Sequence, residues 1–220
     1  MSVVYNQIAN RSLERIGALS DGLFAIAMTL IVLEIRVPEL AEHTDAGLLG
    51  ALGELAPRFV TYLLSFLTLG IFWNGQQTQL SYIDRGGRDL AWLELLFLAV
   101  IALFPFTTSL LAENIDLRLA LGLYWLNIFV SGAVLYLIWV YAERAGIIRE
   151  GTAPEVGRLV RRRIRIAQAL YGVGFLISLL PTGTYPAIAW IVLVQLNFAI
   201  APRIWKLHQI SRGAGGVSRR

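Results

Sequence analysis

The stretch that decides the fold is RIGALSDGLFAIAMTLIVLEIRV, residues 15–37. A membrane-spanning helix needs about 20 mostly apolar residues to cross ~30 Å of hydrocarbon, and this stretch supplies them. Asp21 nevertheless lies within its first turns. Because a carboxylate at the bilayer centre costs about 2.5–3.5 kcal/mol on insertion scales, Asp21 needs hydrogen-bond donors or a position near the interface.

The composition indicates an all-α integral membrane protein. The chain is 56% hydrophobic and 15% charged, whereas a soluble domain carries about 25% charged residues. It contains no cysteine, and its two histidines, His43 and His208, lie outside the apolar runs. A disulfide framework, a thiolate metal site and histidine-based catalysis within the membrane are therefore not expected. The polar residues inside the spans are too few for an enzyme, so we expect no catalytic residues, no metal and no cofactor.

Six apolar stretches follow one another along the chain. They cover residues 17–37, 57–79, 90–112, 118–142, 164–182 and 185–205. We expect all six to be transmembrane helices, because lipid-exposed strand edges cannot satisfy their hydrogen bonds. The sequence thus predicts one six-helix domain over residues 1–210, followed by a flexible basic tail, 211–220.

The distribution of basic residues predicts the orientation. Of the 19 Lys and Arg residues, Arg36, Arg58 and Arg118 fall on one side of the membrane and the other 16 fall on the opposite side. The positive-inside rule therefore places both termini in the cytoplasm. This distribution also argues against a nucleic-acid partner, because the charges flank membrane spans. The run RLVRRRIRI, residues 158–166, is best interpreted as a topology anchor, with a specific site for anionic lipid head groups as the alternative.

The first span has two differently composed faces. At about 100° per residue, one apolar stripe contains Ile26, Thr29 and Leu33, while Asp21 points about 140° away from Ile26. If the stripe lined a pathway, Asp21 would not line it. Donors for Asp21 are expected at the cytoplasmic end of the second span, where Trp73 lies with Asn74 and Gln76. By periodicity alone, ordinary helix packing is the favoured interpretation of the stripe, because every span has such stripes.

The opening stretch also resembles a known signature. It is similar to the Arg-x-x-x-Phe-Ser-Asp element of the transmembrane protein 175 family of endosomal and prokaryotic potassium channels. Arg15, Ser20 and Asp21 match, and Leu19 replaces the phenylalanine. The resemblance continues in YLLSFLTLGIFWNGQQ (62–77) and in LFPFTTSLLAE (103–113). It covers the first three spans well and the last three by layout only.

This resemblance implies a homotetramer of six-helix subunits whose first helix lines a pore on the oligomer axis. The pore-facing layers, or pore constriction, would then be Ile26, Thr29 and Leu33. The resemblance further implies a structural brace network that holds the first helix against its neighbours. Its members would be Arg15, Ser20, Asp21, Trp73 and Gln76. Gln76 stands where the family has a histidine, so this position can hydrogen-bond but cannot titrate near neutral pH.

The expected function is a potassium-preferring, weakly selective cation channel with a hydrophobic gate. It would conduct K⁺ ions without a cofactor, in the lipid bilayer of a prokaryotic cell membrane. The alternative is a secondary transporter of a small cation or solute. Transporters use broken helices with binding sites at mid-membrane. The first span contains no proline and no span carries a charge at mid-depth, so Pro105 and Pro181 are the main candidates for helix breaks.

Overall fold

The structure is a computed structural model that describes residues 2–40, 42–181 and 184–198, with side chains from Leu13 onward. Eight α-helices account for nearly all of this part of the chain. They are α1 (Ser2–Leu30), α2 (Asp45–Glu54), α3 (Ala56–Tyr82), α4 (Arg88–Ile101), α5 (Phe104–Glu113), α6 (Arg118–Arg144), α7 (Pro154–Ser178) and α8 (Tyr185–Phe198). The expectation of an all-α protein is confirmed. The predicted tail, 211–220, lies outside the described residues.

Four segments of the described chain are long and apolar enough to cross a membrane. They are Leu13–Glu34, Ala56–Tyr82, Arg88–Glu113 and Arg118–Arg144, and they correspond to the first four predicted spans. The fifth predicted span coincides with the apolar half of α7, whose first half carries the basic run. The sixth corresponds to α8, which is apolar but shorter over the residues that the structure describes.

The first span differs from its predicted bounds at both ends. The helix begins at Ser2, well before residue 17, and α-helical geometry stops at Leu30. A 3₁₀ turn, Ile31–Glu34, follows, and Ile35 leaves the helix. A 3₁₀ turn is more tightly wound than an α-helix and is used in short pieces at helix ends. The outer end of the span is therefore wound differently from its centre.

The third span is two helices rather than one. α4 ends at Ile101 and α5 begins at Phe104, with Pro105 in its first turn. Proline has no N–H to donate and its ring clashes with the preceding turn, so the chain cannot continue as one straight helix. The prediction of a single helix over 90–112 is wrong in this respect, although Pro105 was a candidate for the break. Pro181 follows the end of α7 instead of interrupting it.

Aromatic side chains connect α1, α3, α4, α5 and α6 at the centre of the subunit. The ring of Phe97 lies 6.1 Å from that of Phe24 and 6.2 Å from that of Phe72. Phe104 continues the series, 6.0 Å from Phe72 and 6.1 Å from Tyr124. Within lipid, helices gain little from leaving apolar surroundings, so close packing of this kind is what holds them together. The series fixes the buried face of α1 against α4.

Two loops meet at one end of the helices. The amide of Asp84, after α3, donates to the carbonyl of Ile147 over 2.9 Å, and the amide of Arg149 donates to Tyr82 over 2.8 Å. Gly146 ends α6 with a φ of 63°, a left-handed conformation that glycine adopts without steric cost. The ends of α3 and α6 therefore lie on the same side of the molecule, as alternating membrane spans require.

Candidate functional site

The two faces of α1 differ sharply in burial within one subunit. Phe24 and Ile31 are 2% and 0% exposed, whereas Ile26 and Leu33 are 60% and 67% exposed. The exposed stripe of α1, as the name is used below, comprises Leu19, Ile26, Thr29, Leu30 and Leu33. Apart from Thr29 it is aliphatic, so it offers a contact surface for lipid, for a second subunit or for the wall of a narrow path.

Thr29 gives the exposed stripe its polar character. Its hydroxyl lies 3.0 Å from the carbonyl oxygen of Ala25 and 2.9 Å from that of Ile26, one turn back along the helix. Threonine commonly donates to the backbone in this way. Since the single hydroxyl proton is donated inside the helix, the oxygen keeps both of its lone pairs as acceptors. Such an oxygen suits a cation better than an anion.

Leu33 differs from Ile26 and Thr29 in its backbone. It lies in the 3₁₀ turn after α1, where each residue turns by about 120° instead of 100°. The angle calculated for Leu33 from an ideal α-helix therefore does not apply. Its side chain is nonetheless 67% exposed, against 60% for Ile26, so the structure leaves it on the outside of the subunit.

Asp21 is exposed but points away from the exposed stripe, and α3 holds it. Its carboxylate oxygen Oδ1 accepts a hydrogen bond from Trp73 Nε1 over 2.8 Å and another from Gln77 Nε2 over 2.7 Å. Trp73 and Gln77 are one helical turn apart, so one face of α3 presents both donors. Sequence reasoning named Trp73 but missed Gln77, although the spacing of four residues from Trp73 is a signal that identifies it.

Ser20 points the other way, into the subunit. Its hydroxyl donates to Gln76 Oε1, and Gln76 Nε2 donates to Glu94 Oε2 over 2.7 Å. All three side chains are buried. These two hydrogen bonds connect α1 to α3 and α3 to α4. The second carboxyl oxygen of Glu94 has no partner among the described residues.

These contacts bring together four of the five residues that the resemblance assigns to the brace network. Ser20 meets Gln76, and Asp21 meets Trp73. Arg15 is exposed and makes no ion pair with any carboxylate in the described part of the chain. The two pairs lie on different sides of α1, because consecutive helical residues are about 100° apart.

The outer end of α1 is held by a separate set of contacts. Glu34 Oε2 accepts a hydrogen bond from Ser109 over 2.8 Å, and the guanidinium of Arg58 donates to the Glu34 carbonyl over 3.0 Å. Ser109 lies on α5 and Arg58 on α3. The 3₁₀ turn is therefore attached to both helices.

A second polar cluster lies deep between the helices. The Thr108 hydroxyl donates to Ser65 over 2.7 Å, and Ser65 and Thr68 lie 3.2 and 3.0 Å from the Tyr124 hydroxyl. Gln195 donates to Thr68 from α8. Sequence reasoning missed this cluster. Its signal is the placement of Ser65 and Thr68 three residues apart, on one face of an apolar helix, since buried hydroxyls in membranes join helices by hydrogen bonds.

The described residues contain no group of three or more His, Cys, Asp or Glu side chains that could hold a metal ion. The polar groups of the subunit form hydrogen-bonded connections between helices. From Gly22 to Leu30, what remains exposed on α1 is an apolar surface with one hydroxyl oxygen. This arrangement supports passage or packing rather than bond-making chemistry.

Comparisons with known proteins identify relatives of this chain. A family model described as endosomal/lysosomal potassium channel TMEM175 matches residues 15–105. A potassium channel of Streptomyces collinus is 35% identical over 165 residues, covering 73% of this chain and 78% of the relative. An endosomal/lysosomal proton channel TMEM175 of Gallus gallus is 36% identical over 108 residues, which are 46% of this chain and 22% of that protein.

A solved structure is similar over most of its length. The crystal structure of a lysosomal potassium-selective channel TMEM175 homologue from Chamaesiphon minutus superimposes with a TM-score of 0.75 at 27% identity. The match covers 87% of this chain and 98% of that one. The similarity therefore extends beyond residues 15–105 to the later helices.

Proposed function

The chain belongs to the TMEM175 family of ion channels, and from that premise we propose that it is a potassium-preferring, weakly selective cation channel. The observation that carries the proposal is the exposed stripe of α1. It is left uncovered in one subunit although Phe24 and Ile31 on the opposite face are fully packed. A family of channels and an unpartnered apolar helix face together favour a pore built by several copies of α1.

We propose that these copies form a homotetramer with its pore on the symmetry axis. A single α1 cannot enclose a path, so closed symmetry is required if this helix lines it. An apolar groove beside the exposed stripe supports contact between subunits, because Ala18 and Gly22 on α1 and Pro105 on α5 allow close approach. Four subunits are inferred from the family resemblance.

The proposed conduction path has three layers. Rings of Ile26 and Leu33 form apolar constrictions, which can close by dewetting. The Thr29 oxygens lie between them and offer acceptors to a partly dehydrated cation. Four hydroxyl oxygens do not replace a full hydration shell as rings of carbonyls do, so the preference for K⁺ over Na⁺ is expected to be weak.

The brace network is proposed to keep α1 at a fixed position around this path. Asp21 with Trp73, and Ser20 with Gln76, attach α1 to α3 near the start of the span. The contacts of Glu34 attach its outer end. Arg15 extends the network by the family resemblance alone. With both ends held, the exposed stripe keeps its direction toward the axis.

We propose six transmembrane helices per subunit, with both termini in the cytoplasm of a prokaryotic cell. The excess of Lys and Arg at one end of the helices supports this orientation. The apolar half of α7 and α8 then supply the fifth and sixth spans. Residues 199–205 of the predicted sixth span lie outside the described part of the chain.

A secondary transporter remains the second candidate because of the broken third span. The break between α4 and α5 adjoins α1, and Ala102 and Pro105 line the groove beside the exposed stripe. Broken helices with free backbone groups form ion sites in transporters. No charged side chain accompanies the break, however, which weakens this interpretation.

Flux from liposomes separates the two functions. The purified protein is reconstituted with a K⁺ gradient, and efflux is compared with that of Na⁺ and of a large organic cation. A channel gives passive flux that prefers K⁺, persists without a second gradient and excludes the large cation. Flux that saturates and requires a coupled ion would overturn the channel proposal in favour of the transporter.

A further inference from the structure

An apolar cavity of about 260 Å³ lies between α3, α6 and α7, away from the proposed pore. Its walls are aliphatic and aromatic, with Phe72 from α3, Leu135 from α6 and Ile164 from α7 among them. Pockets that enclose whole small molecules are usually about 300–1,000 Å³. A slightly smaller, partly open apolar cavity suits one hydrocarbon chain whose remaining part stays outside.

The cavity opens beside the basic run of α7. The exposed Arg163 contributes to the lining of the cavity. Leu159 lies between the cavity and a shallow surface depression, and it lines both. The arginines of the same helix that line the depression are Arg158, Arg161, Arg162 and Arg165. The apolar cavity and the positive surface are therefore adjacent, with Leu159 between them.

Some of this positive charge has no carboxylate partner among the described residues. Arg161 pairs with Glu143, and Arg158 pairs with Glu155 at 2.8 Å. In the described residues, no carboxylate lies within 4.0 Å of Arg162, Arg163 or Arg165. A topology anchor requires only that charge remain in the cytoplasm, whereas three uncompensated guanidinium groups beside a cavity can bind an anion directly.

Two side-chain amide oxygens that line the cavity also lack partners in the described residues. The side-chain oxygens of Gln79 and Gln168 are buried and make no hydrogen bond within the described residues, and both residues line the cavity. An unsatisfied buried polar group destabilises the folded state by about 1–3 kcal/mol. Because the unpaired atoms are amide oxygens, which accept, their partner would have to be a donor such as a hydroxyl of a lipid head group.

We propose that this site binds one anionic phospholipid, with an acyl chain in the cavity and its phosphate against Arg162 and Arg163. Basic residues at the cytoplasmic surface attract anionic lipids, so the inference rests on the proposed inside position of this end of α7 but not on conduction. The residues that follow Phe198 in the sequence are a poor occupant. Residues 199–220 contain five Lys and Arg residues and no Asp or Glu, so the basic run repels them. The five are Arg203, Lys206, Arg212, Arg219 and Arg220.

The test measures retention of lipid by the purified full chain in detergent, using native mass spectrometry. Phosphatidylglycerol and phosphatidylcholine with identical acyl chains are titrated separately. The wild type is expected to retain phosphatidylglycerol more tightly, and the variant with Arg162→Gln and Arg163→Gln to lose about 30-fold in its affinity. A control with Arg88→Gln and Arg144→Gln, which are exposed arginines at the same end of the helices, should retain the wild-type affinity.

A second pair of variants tests the cavity separately from the charge. Ala167 lines the cavity, whereas Ala169 is exposed on the same helix. Ala167→Phe should abolish retention of the lipid, and Ala169→Phe should not. Equal binding of the two lipids by the wild type, or unchanged phosphatidylglycerol binding in either the Ala167→Phe or the double arginine variant, would overturn the proposal. So would binding that begins only after residues 207–220 are deleted, since the tail would then be the occupant.

The readout is independent of the proposed channel. A chain that conducts no K⁺ can still show selective lipid retention, and a chain that fails to retain the lipid can still conduct. Thermal unfolding of each variant in detergent checks that it is folded. If Ala167→Phe is not folded, the double arginine variant, which changes exposed side chains only, still decides the proposal.

Discussion

The two faces of α1 are held in opposite ways. On one face, Ser20 and Phe24 are packed, and Asp21 beside them is hydrogen-bonded, against α3 and α4. On the other, Ile26 and Leu33 contact little within the subunit. Within the subunit, polar contacts therefore position the helix, and the aliphatic stripe is left uncovered. We expect substitutions on the buried face to change stability and substitutions on the exposed stripe to change flux.

The largest effect on flux is expected from Ile26→Asn. A polar side chain at the apolar constriction stabilises water in it, so K⁺ flux from liposomes should rise by about tenfold, the effect of lowering a barrier by ~1.4 kcal/mol. Thermal stability should change little because Ile26 is mostly exposed. Leu176→Asn is the matched control, since Leu176 on α7 is 61% exposed. Equal flux from Ile26→Asn and wild-type protein would exclude Ile26 from the constriction.

Gln76→Leu tests the buried connection between α1 and α4. The change leaves Ser20 and Glu94 without their partner, which should destabilise the subunit by about 2–3 kcal/mol. Gln79→Leu is the control, because Gln79 is also buried on α3 but its side-chain oxygen has no partner in the described residues. Thermal unfolding in detergent measures both. The buried connection has no structural importance if the two variants unfold alike.

Asp21→Ala removes the acceptor for Trp73 and Gln77 near the surface. Because these hydrogen bonds are exposed, the expected loss is smaller, about 1–2 kcal/mol, with less assembled protein in size-exclusion chromatography. Asp84→Ala is expected to change stability by under about 0.5 kcal/mol, because Asp84 has only an exposed arginine 3.9 Å away. A fully assembled Asp21→Ala protein of wild-type stability would show that Asp21 does not brace α1.

The smallest effect is expected from Thr29→Val, which keeps the shape of the side chain and removes its oxygen. Because the Thr29 oxygens are proposed as the polar contacts for the ion, the preference for K⁺ over Na⁺ should fall by roughly threefold. Thr29→Ser retains the oxygen and should retain the preference. Reversal potentials under bi-ionic conditions measure both variants. An unchanged preference in Thr29→Val places ion selectivity elsewhere in the path.

Hydropathy and helical periodicity predicted much of this fold because lipid restricts the alternatives. The span predicted over residues 57–79 corresponds to α3 at Ala56–Tyr82, and the span over 118–142 to α6 at Arg118–Arg144. Helix breaks were harder to predict from the sequence. Pro105 signals a break, but hydropathy is continuous across residues 90–112, and only the structure shows that α4 has ended by Ile101. Similarly, the 3₁₀ turn after Leu30 leaves no mark in an apolar sequence.

The candidate site shows the same limit at the level of side chains. The sequence placed Asp21 opposite donors on the second span, and Trp73 and Gln77 donate to it. Which glutamine donates depends on how α1 and α3 are rotated against each other, and that is decided by packing of residues such as Phe24 and Phe72. The pairing of Gln76 with Glu94 depends on a third helix. A single sequence therefore does not predict which side chains pair between helices that are distant in sequence.

Single cysteines on α1 test directly whether the exposed stripe of α1 lines the conduction path. The chain contains no cysteine, so Ile26→Cys and Phe24→Cys each introduce a unique thiol on opposite faces of α1. Both variants are reconstituted, treated with a positively charged thiol reagent and assayed for K⁺ flux. If the stripe lines the path, the reagent should block K⁺ flux through Ile26→Cys and leave K⁺ flux through Phe24→Cys unchanged. Unchanged flux through Ile26→Cys that mass spectrometry shows to be fully modified would contradict it.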